Sequence, residues 1–157
     1  MSAEQFLPRN ESGKDFPKLI PDGKHPSANI QRRLRILIAE DERLVAEDLK
    51  EVLENAGHVV VGIFSSGEEV LQRFNEADPD LILMDIRLKG SLDGIQTAIT
   101  IHNSMKVIPI IFVTAHAREQ YPELNSLQSS SFMYVTKPFR NEILLKSIQK
   151  LFDPTSK

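Results

Sequence analysis

The sequence predicts an α/β domain built on a doubly wound, five-stranded parallel sheet with five helices. Two observations carry this reading. Short, nearly unbroken apolar runs such as Arg35-Ile36-Leu37-Ile38-Ala39 and Leu81-Ile82-Leu83-Met84 alternate with stretches whose apolar residues recur at helical spacing. The alternation repeats five times over about 120 residues. A strand covered by helices on both sides has no polar face, which is the pattern of parallel sheets.

The first strand is expected at 35–39. Val45, Leu49, Val52, Leu53 and Ala56 then mark a helix that Gly57 would end. Residues 58–64, with Val59-Val60-Val61, read as the second strand. Ser65 and Ser66 are candidate caps for a helix whose inner face is Val70, Leu71, Phe74 and Ala77. Pro79-Asp80 leads into a third strand ending at Asp85, and a short helix carrying Ile95, Ala98 and Ile99 follows Gly94. The fourth strand is expected at 107–114. Residues 117–128 read as a weaker helix, 132–136 as the fifth strand, and 141–152 as a last helix with Ile143, Leu144, Ile148 and Leu151 inward.

Residues 1–33 differ from the rest. They carry Pro8, Pro17, Pro21 and Pro26 among scattered charges, show no sustained period, and are expected to form a flexible amino-terminal arm. Residues 34–152 are the predicted domain and 153–157 a short tail. The net charge of −3, with both signs mixed along the chain, supplies no clustered Lys and Arg for a nucleic-acid groove. The absence of cysteine excludes disulfides, thiolate nucleophiles and zinc–thiolate sites. The longest apolar stretch, 107–113, is broken by Pro109 and too short to span a bilayer, and the first thirty residues hold no apolar leader. A cytoplasmic protein without membrane insertion is expected.

In open parallel sheets the site lies beyond the carboxyl ends of the strands. The polar residues that end the apolar runs are Glu40-Asp41, Asp85, Thr114 and Lys137. Each has a plain explanation taken singly. Asp41 reads as a helix N-cap, Thr114 as an ordinary strand residue and Lys137 as a solvated charge. Asp85 is harder to dismiss, because it follows four apolar residues where an unpaired charge is costly. Three neighbouring carboxylates repel one another, and a hard dication relieves that repulsion. Oxygen ligands point to Mg²⁺, with Mn²⁺ as the other candidate. Such a site suits phosphoryl transfer, with Asp85 as an in-line nucleophile and Thr114 and Lys137 neutralising the phosphoryl oxygens.

With these residues in view, the chain strongly resembles the receiver domain of two-component response regulators, in its single-domain form. The resemblance rests on Ala39-Glu40-Asp41-Glu42, on Pro79-Asp80-Leu81-Ile82-Leu83-Met84-Asp85-Ile86, on Gly90 with Asp93-Gly94, on Pro109 through Thr114-Ala115, and on Lys137-Pro138-Phe139. It implies a flavodoxin-like sheet of order 2-1-3-4-5. It implies Asp85 as phosphoacceptor, and a Mg²⁺ site made by Glu40, Asp41, Asp85 and the backbone carbonyl of Arg87. It further implies Thr114 and Lys137 as phosphoryl ligands, Thr114 and Tyr134 as the switch pair, and a cis Lys137–Pro138 bond. Arg87 and His116 stand at positions that tune phosphoryl lifetime in the family. The sequence departs from the common pattern at Glu40, where many members have Asp, at Met133, and at Ser129-Ser130-Ser131.

The resemblance implies a histidine kinase or phosphotransfer protein as donor and a downstream protein effector as target, with a phosphorylation-dependent dimer as a further partnership. Catalysis would be confined to the chain's own phosphorylation and dephosphorylation. A receiver-shaped interaction module that is never phosphorylated is one alternative. An aspartyl-phosphate phosphatase is another, disfavoured because the position two after Asp85 is Arg87, which cannot serve as a general acid. A DNA-binding output is also disfavoured, since only 153–157 follow the last predicted helix.

Overall fold

The computed structural model of this chain describes residues 32–104, 106–115, 121–123 and 131–153. Strands β1 (Arg35–Ala39), β2 (Val59–Phe64), β3 (Leu81–Met84), β4 (Ile110–Thr114) and β5 (Phe132–Thr136) form one sheet. Helices α1 (Arg43–Asn55), α2 (Gly67–Ala77), α3 (Gly94–Ser104) and α4 (Asn141–Phe152) are the four among the described residues. The helix expected at 117–128 lies largely outside them. All strand pairs are parallel and the order is β2-β1-β3-β4-β5, with β1, β3 and β4 central.

Successive residues of a strand face opposite sides, so each central strand feeds two cores. Leu37, Ile82, Met84, Ile110 and Phe112 pack with Val70 and Phe74 of α2 and Ile95, Ala98 and Ile101 of α3. Ile36, Ile38, Leu81, Leu83, Ile111 and Val113 pack on the other face with Leu49 and Leu53 of α1 and Leu144 and Ile148 of α4. Burying each large side chain of this kind contributes about 1.5–3 kcal/mol. The unbroken apolar strands are thus explained by burial on both sides.

The end of α1 and the start of α2 follow local chemistry. Gly57, at φ +89°, closes the turn after α1 in a conformation costly for other residues. Ser66 caps α2 by accepting from the Glu69 N–H at 3.2 Å, and the Glu69 carboxylate reaches back to the Ser65 N–H at 2.9 Å. The starts of α1 and α4 differ: their N-cap positions, Glu42 and Arg140, carry no side-chain cap bond. The N-cap explanation of Asp41 therefore falls away.

Two sequence expectations are corrected. The fourth strand begins at Ile110 rather than 107, and Val107 is exposed. Pro109 precedes the first paired residue and has no N–H to donate to a ladder. Ile143 does not face inward but is half exposed. The inner stripe of α4 runs through Leu144, Ile148 and Leu151, spaced by four and three residues, and Ile143 lies at its edge.

The domain's floor, opposite the carboxyl ends of the strands, is tied by polar contacts. Asp80 accepts from the Arg35 N–H at 2.9 Å, and Arg35 donates to the carbonyls of Asp78 and Ala77. Arg32 bonds Asp80 at 3.5 Å and lies over the Phe152 ring at 5.6 Å. Buried His58 accepts from the Leu34 N–H through Nδ1 at 3.4 Å.

Candidate functional site

The sheet ladder continues one residue past three strands, and this sets the site. Glu40 N–H donates to the Phe64 carbonyl at 2.9 Å, Asp85 N–H to Ala39 at 2.8 Å, and Lys137 N–H to Thr114 at 2.9 Å. Because β1, β3, β4 and β5 are neighbours in that order, the residues that end them meet on one rim. Glu40 and Thr114 are almost fully buried there, Asp85 is 8% exposed, and Asp41 is half-buried.

The Lys137 ammonium donates to Glu40 Oε2 at 2.7 Å and to Asp85 Oδ2 at 3.0 Å. The second oxygen of each acid is also engaged. Glu40 Oε1 accepts from the Glu42 N–H and Asp85 Oδ1 from the Arg87 N–H, both at 3.1 Å. Burial raises the Glu40 carboxyl above its ordinary range; the Lys137 bond and the Glu42 N–H work against that, while the charge of Asp85 adds to it. Burial by itself would lower the Lys137 ammonium, but its bonds to Glu40 and Asp85 outweigh that and leave it raised.

Glu40, Asp41 and Asp85 each offer a carboxylate oxygen, and these oxygens lie within 4.8 Å of one another. Three carboxylates against one ammonium leave two negative charges in a largely water-excluded pocket. The donor set is all oxygen and the deficit is that of a dication, so the residues fit Mg²⁺ or Mn²⁺.

The remaining expected residues are placed as follows. Thr114 is the last residue of β4, and its Cα pairs with that of Thr136. Arg87 is exposed and follows Asp85 by two residues, entering the loop to α3. The Tyr134 ring stacks on Phe112, with centroids 5.2 Å apart and planes at 23°, and its hydroxyl oxygen is buried. The Lys137–Pro138 peptide bond is cis. His116 lies outside the described residues.

Tyr121 was not anticipated from the sequence. It packs partly buried against the core on the α2 and α3 side of the sheet, and burial raises its hydroxyl. Nothing in the polar run around it distinguishes this tyrosine from a surface residue.

Gly94 closes the loop from β3, donating its N–H to the Ile86 carbonyl at 2.8 Å. A Cβ there would collide with the Asp85 carbonyl. The glycine lets α3 begin directly against the backbone of the acid.

The model of the response regulator receiver domain family matches residues 36–149. Transcriptional regulatory protein PdtaR of Mycobacterium tuberculosis is 34% identical over 115 residues, which are 73% of this chain and 55% of PdtaR. Among solved structures, the signal receiver domain of a modulated diguanylate cyclase from Desulfovibrio desulfuricans G20 is 34% identical. It superposes with a TM-score of 0.67, covering 75% of this chain and 92% of that domain. The anti-anti-sigma factor PhyR from Bartonella quintana is 32% identical with a TM-score of 0.62, over 77% of this chain and 48% of PhyR. The chain spans about half the length of the curated relatives it matches. Among the described residues no helix is long and apolar enough to cross a membrane. Fold, rim chemistry and sequence agree: the chain belongs to the response regulator receiver domain family.

Proposed function

We propose that this chain is a phosphoaccepting receiver that takes a phosphoryl group on Asp85 from the phosphohistidine of a histidine kinase or phosphotransfer protein. The observation that supports it most is the buried Glu40–Lys137–Asp85 cluster with Asp41 beside it, where a single ammonium faces three acids. In the reaction a carboxylate oxygen of Asp85 forms a bond to phosphorus while the P–N bond of the donor breaks. The departing imidazole nitrogen takes a proton. Glu40, Asp41, Asp85 and the Arg87 carbonyl would hold Mg²⁺ or Mn²⁺, which when bound neutralises charge on the transferring phosphoryl oxygens.

The chain's own residues do the rest. The Arg87 N–H holds one Asp85 oxygen at 3.1 Å and thereby orients the other. Lys137, already 3.0 Å from Asp85, exchanges a carboxylate for a phosphoryl oxygen. Thr114 supplies a hydroxyl at the end of the adjacent strand.

Phosphorylation adds about −1.5 to −2 charge and three acceptor oxygens. Charge-assisted bonds contribute about 1.5–3 kcal/mol each, and two of them approach the roughly 5.5 kcal/mol that carries an equilibrium from 1:99 to 99:1. Thr114 and Tyr134 are the proposed switch pair, coupling the phosphoryl group to the β4–β5 edge and α4. The output is a protein contact. The anti-anti-sigma factor PhyR among the relatives supports that kind of target. Arg87 and His116 are proposed to screen the acyl phosphate, and the chain to act in the cytoplasm, with dimerisation as a further consequence of phosphorylation.

Intact mass after incubation with Mg²⁺ and acetyl phosphate tests the chemistry. A single phosphoryl adduct that requires Mg²⁺ and disappears in Asp85→Asn is expected. No adduct, together with no fluoroberyllate binding, would favour an interaction module that is never phosphorylated.

A further inference from the structure

The loop from β3 to α3 carries the Arg87 carbonyl, and α2 holds that loop from outside the acidic pocket. Glu68, in the first turn of α2, places one carboxylate oxygen on three donors. Its Oε1 accepts from Ser91 Oγ at 2.6 Å, Ser91 N–H at 2.8 Å and Leu92 N–H at 3.2 Å. The neighbouring Glu69 turns the opposite way and caps its own helix through Ser65. Glu69 occupies the capping-box position after Ser66 and Glu68 does not, so two adjacent acids do different work.

The backbone is shaped around Glu68. Gly90 sits at φ +89°, and a Cβ there would collide with the Glu68 carboxylate. Lys89 N–H donates to the Ser65 carbonyl at 2.9 Å, and Lys89 pairs with Ser66 in a parallel bridge. Beyond the clamp, Asp93 starts α3 by accepting from the Gln96 N–H at 2.8 Å. The loop is therefore closed at its base by Gly94 on Ile86 and pinned along its outer side by Glu68, Ser65 and Ser66. The donors, Ser91 Oγ first, bring the Glu68 carboxyl down to about 2, so it stays ionised across the working range.

We propose that Glu68 is a positioning residue of the phosphoacceptor pocket: by fixing the Gly90-Ser91-Leu92 turn it holds the Arg87 carbonyl in place and sets how tightly the pocket binds its divalent cation. The inference rests on the phosphoacceptor reading and adds to it a residue outside the acidic rim. A carbonyl ligand on an unpinned loop must be ordered when the cation enters, and that ordering reduces affinity.

The test is a Mg²⁺ titration of wild type, Glu68→Ala, Glu68→Gln and Ser91→Ala, followed by backbone amide NMR, with amide exchange measured on the same samples. Glu68→Ala is expected to raise the Mg²⁺ Kd about tenfold, the lower end for partners of metal ligands, and to speed exchange at Ser91 and Leu92. Glu68→Gln keeps an acceptor oxygen while losing the charge. It is expected to stay nearer wild type, which separates positioning from a general loss of negative potential. A Glu68→Ala protein that loses protection at Ser91 and Leu92 yet binds Mg²⁺ like wild type overturns the inference and leaves the phosphoacceptor reading intact. A wild type that binds no Mg²⁺ overturns both.

Discussion

The Lys137 ammonium lies 2.7 Å from the Glu40 carboxylate, closer than the 3.0 Å that separates it from Asp85. The lysine proposed to meet the phosphoryl group thus serves first as counter-ion to a buried neighbour. Four residues from three different strand ends share one charge balance: whatever neutralises Glu40 and Asp41 frees Lys137 for Asp85.

Lys137→Met should destabilise the protein by about 1–3 kcal/mol at neutral pH, the usual cost of leaving a buried polar group without its partner. The sign of the pH dependence follows from Glu40. Its folded carboxyl is already raised by burial, so ionising it costs stability as pH climbs from about 4.3 through the folded value. Without Lys137 that cost grows. Urea unfolding of the two proteins should therefore differ less near pH 4, where the Asp85 bond of Lys137 remains, and diverge toward pH 8; parallel curves would count against the shared charge balance.

Divalent cation should stabilise the wild type and leave Asp41→Asn much less affected. At a hundredfold excess over Kd, ligand linkage gives about 2.7 kcal/mol. A thermal melt with Mg²⁺ and then with chelator reads this directly, and equal shifts in both proteins would place the cation elsewhere than beside Asp41.

Thr114→Ala should uncouple the phosphoryl site from the Phe112–Tyr134 stack. Fluoroberyllate is expected to shift the Tyr134 ring resonances in the wild type. In the variant it should still bind at Asp85 but leave Tyr134 unmoved. Equal shifts in both would rule out Thr114 as the link.

His58 gives an acid-side prediction unrelated to phosphorylation. Its Nδ1 accepts from Leu34, and its Nε2 is buried with no hydrogen-bond partner among the described residues. Burial lowers its folded pKa. The stability this neutral ring contributes is therefore present above the unfolded value of about 6.5 and lost as pH falls through the folded value. Unfolding free energy measured between pH 7 and 5 should decline more steeply in wild type than in His58→Gln, which keeps an acceptor and cannot charge.

Leu53→Ala tests the α1 face of the core. Leu53 is fully buried in the core cluster that also holds Ile36, Ile38, Leu81 and Leu144, and its truncation is expected to cost about 2–5 kcal/mol in urea unfolding. A loss below 1 kcal/mol would mean that this core can collapse around the gap.

The sheet and the acidic rim were legible in the chain because both are written in local signals. An apolar run ending in Asp or Lys marks where a buried strand reaches water, and parallel neighbours align those ends. Asp85, Glu40, Asp41, Thr114 and Lys137 could therefore be picked out before any distance was known. Local signals failed where a residue's fate depends on a partner far along the chain. Val107 and Ile143 are apolar residues that packing left at the surface, because Pro109 delays the ladder and α4 buries a stripe one position over. Glu69 stands three residues after Ser66, the capping-box position, and turns back locally to Ser65, whereas nothing local marks Glu68 for Ser91, 23 residues on. The physical reason is range: hydrophobic periodicity acts within a helix turn or a strand, whereas hydrogen bonds and ion pairs between elements exist only once the sheet has brought them within about 3 Å.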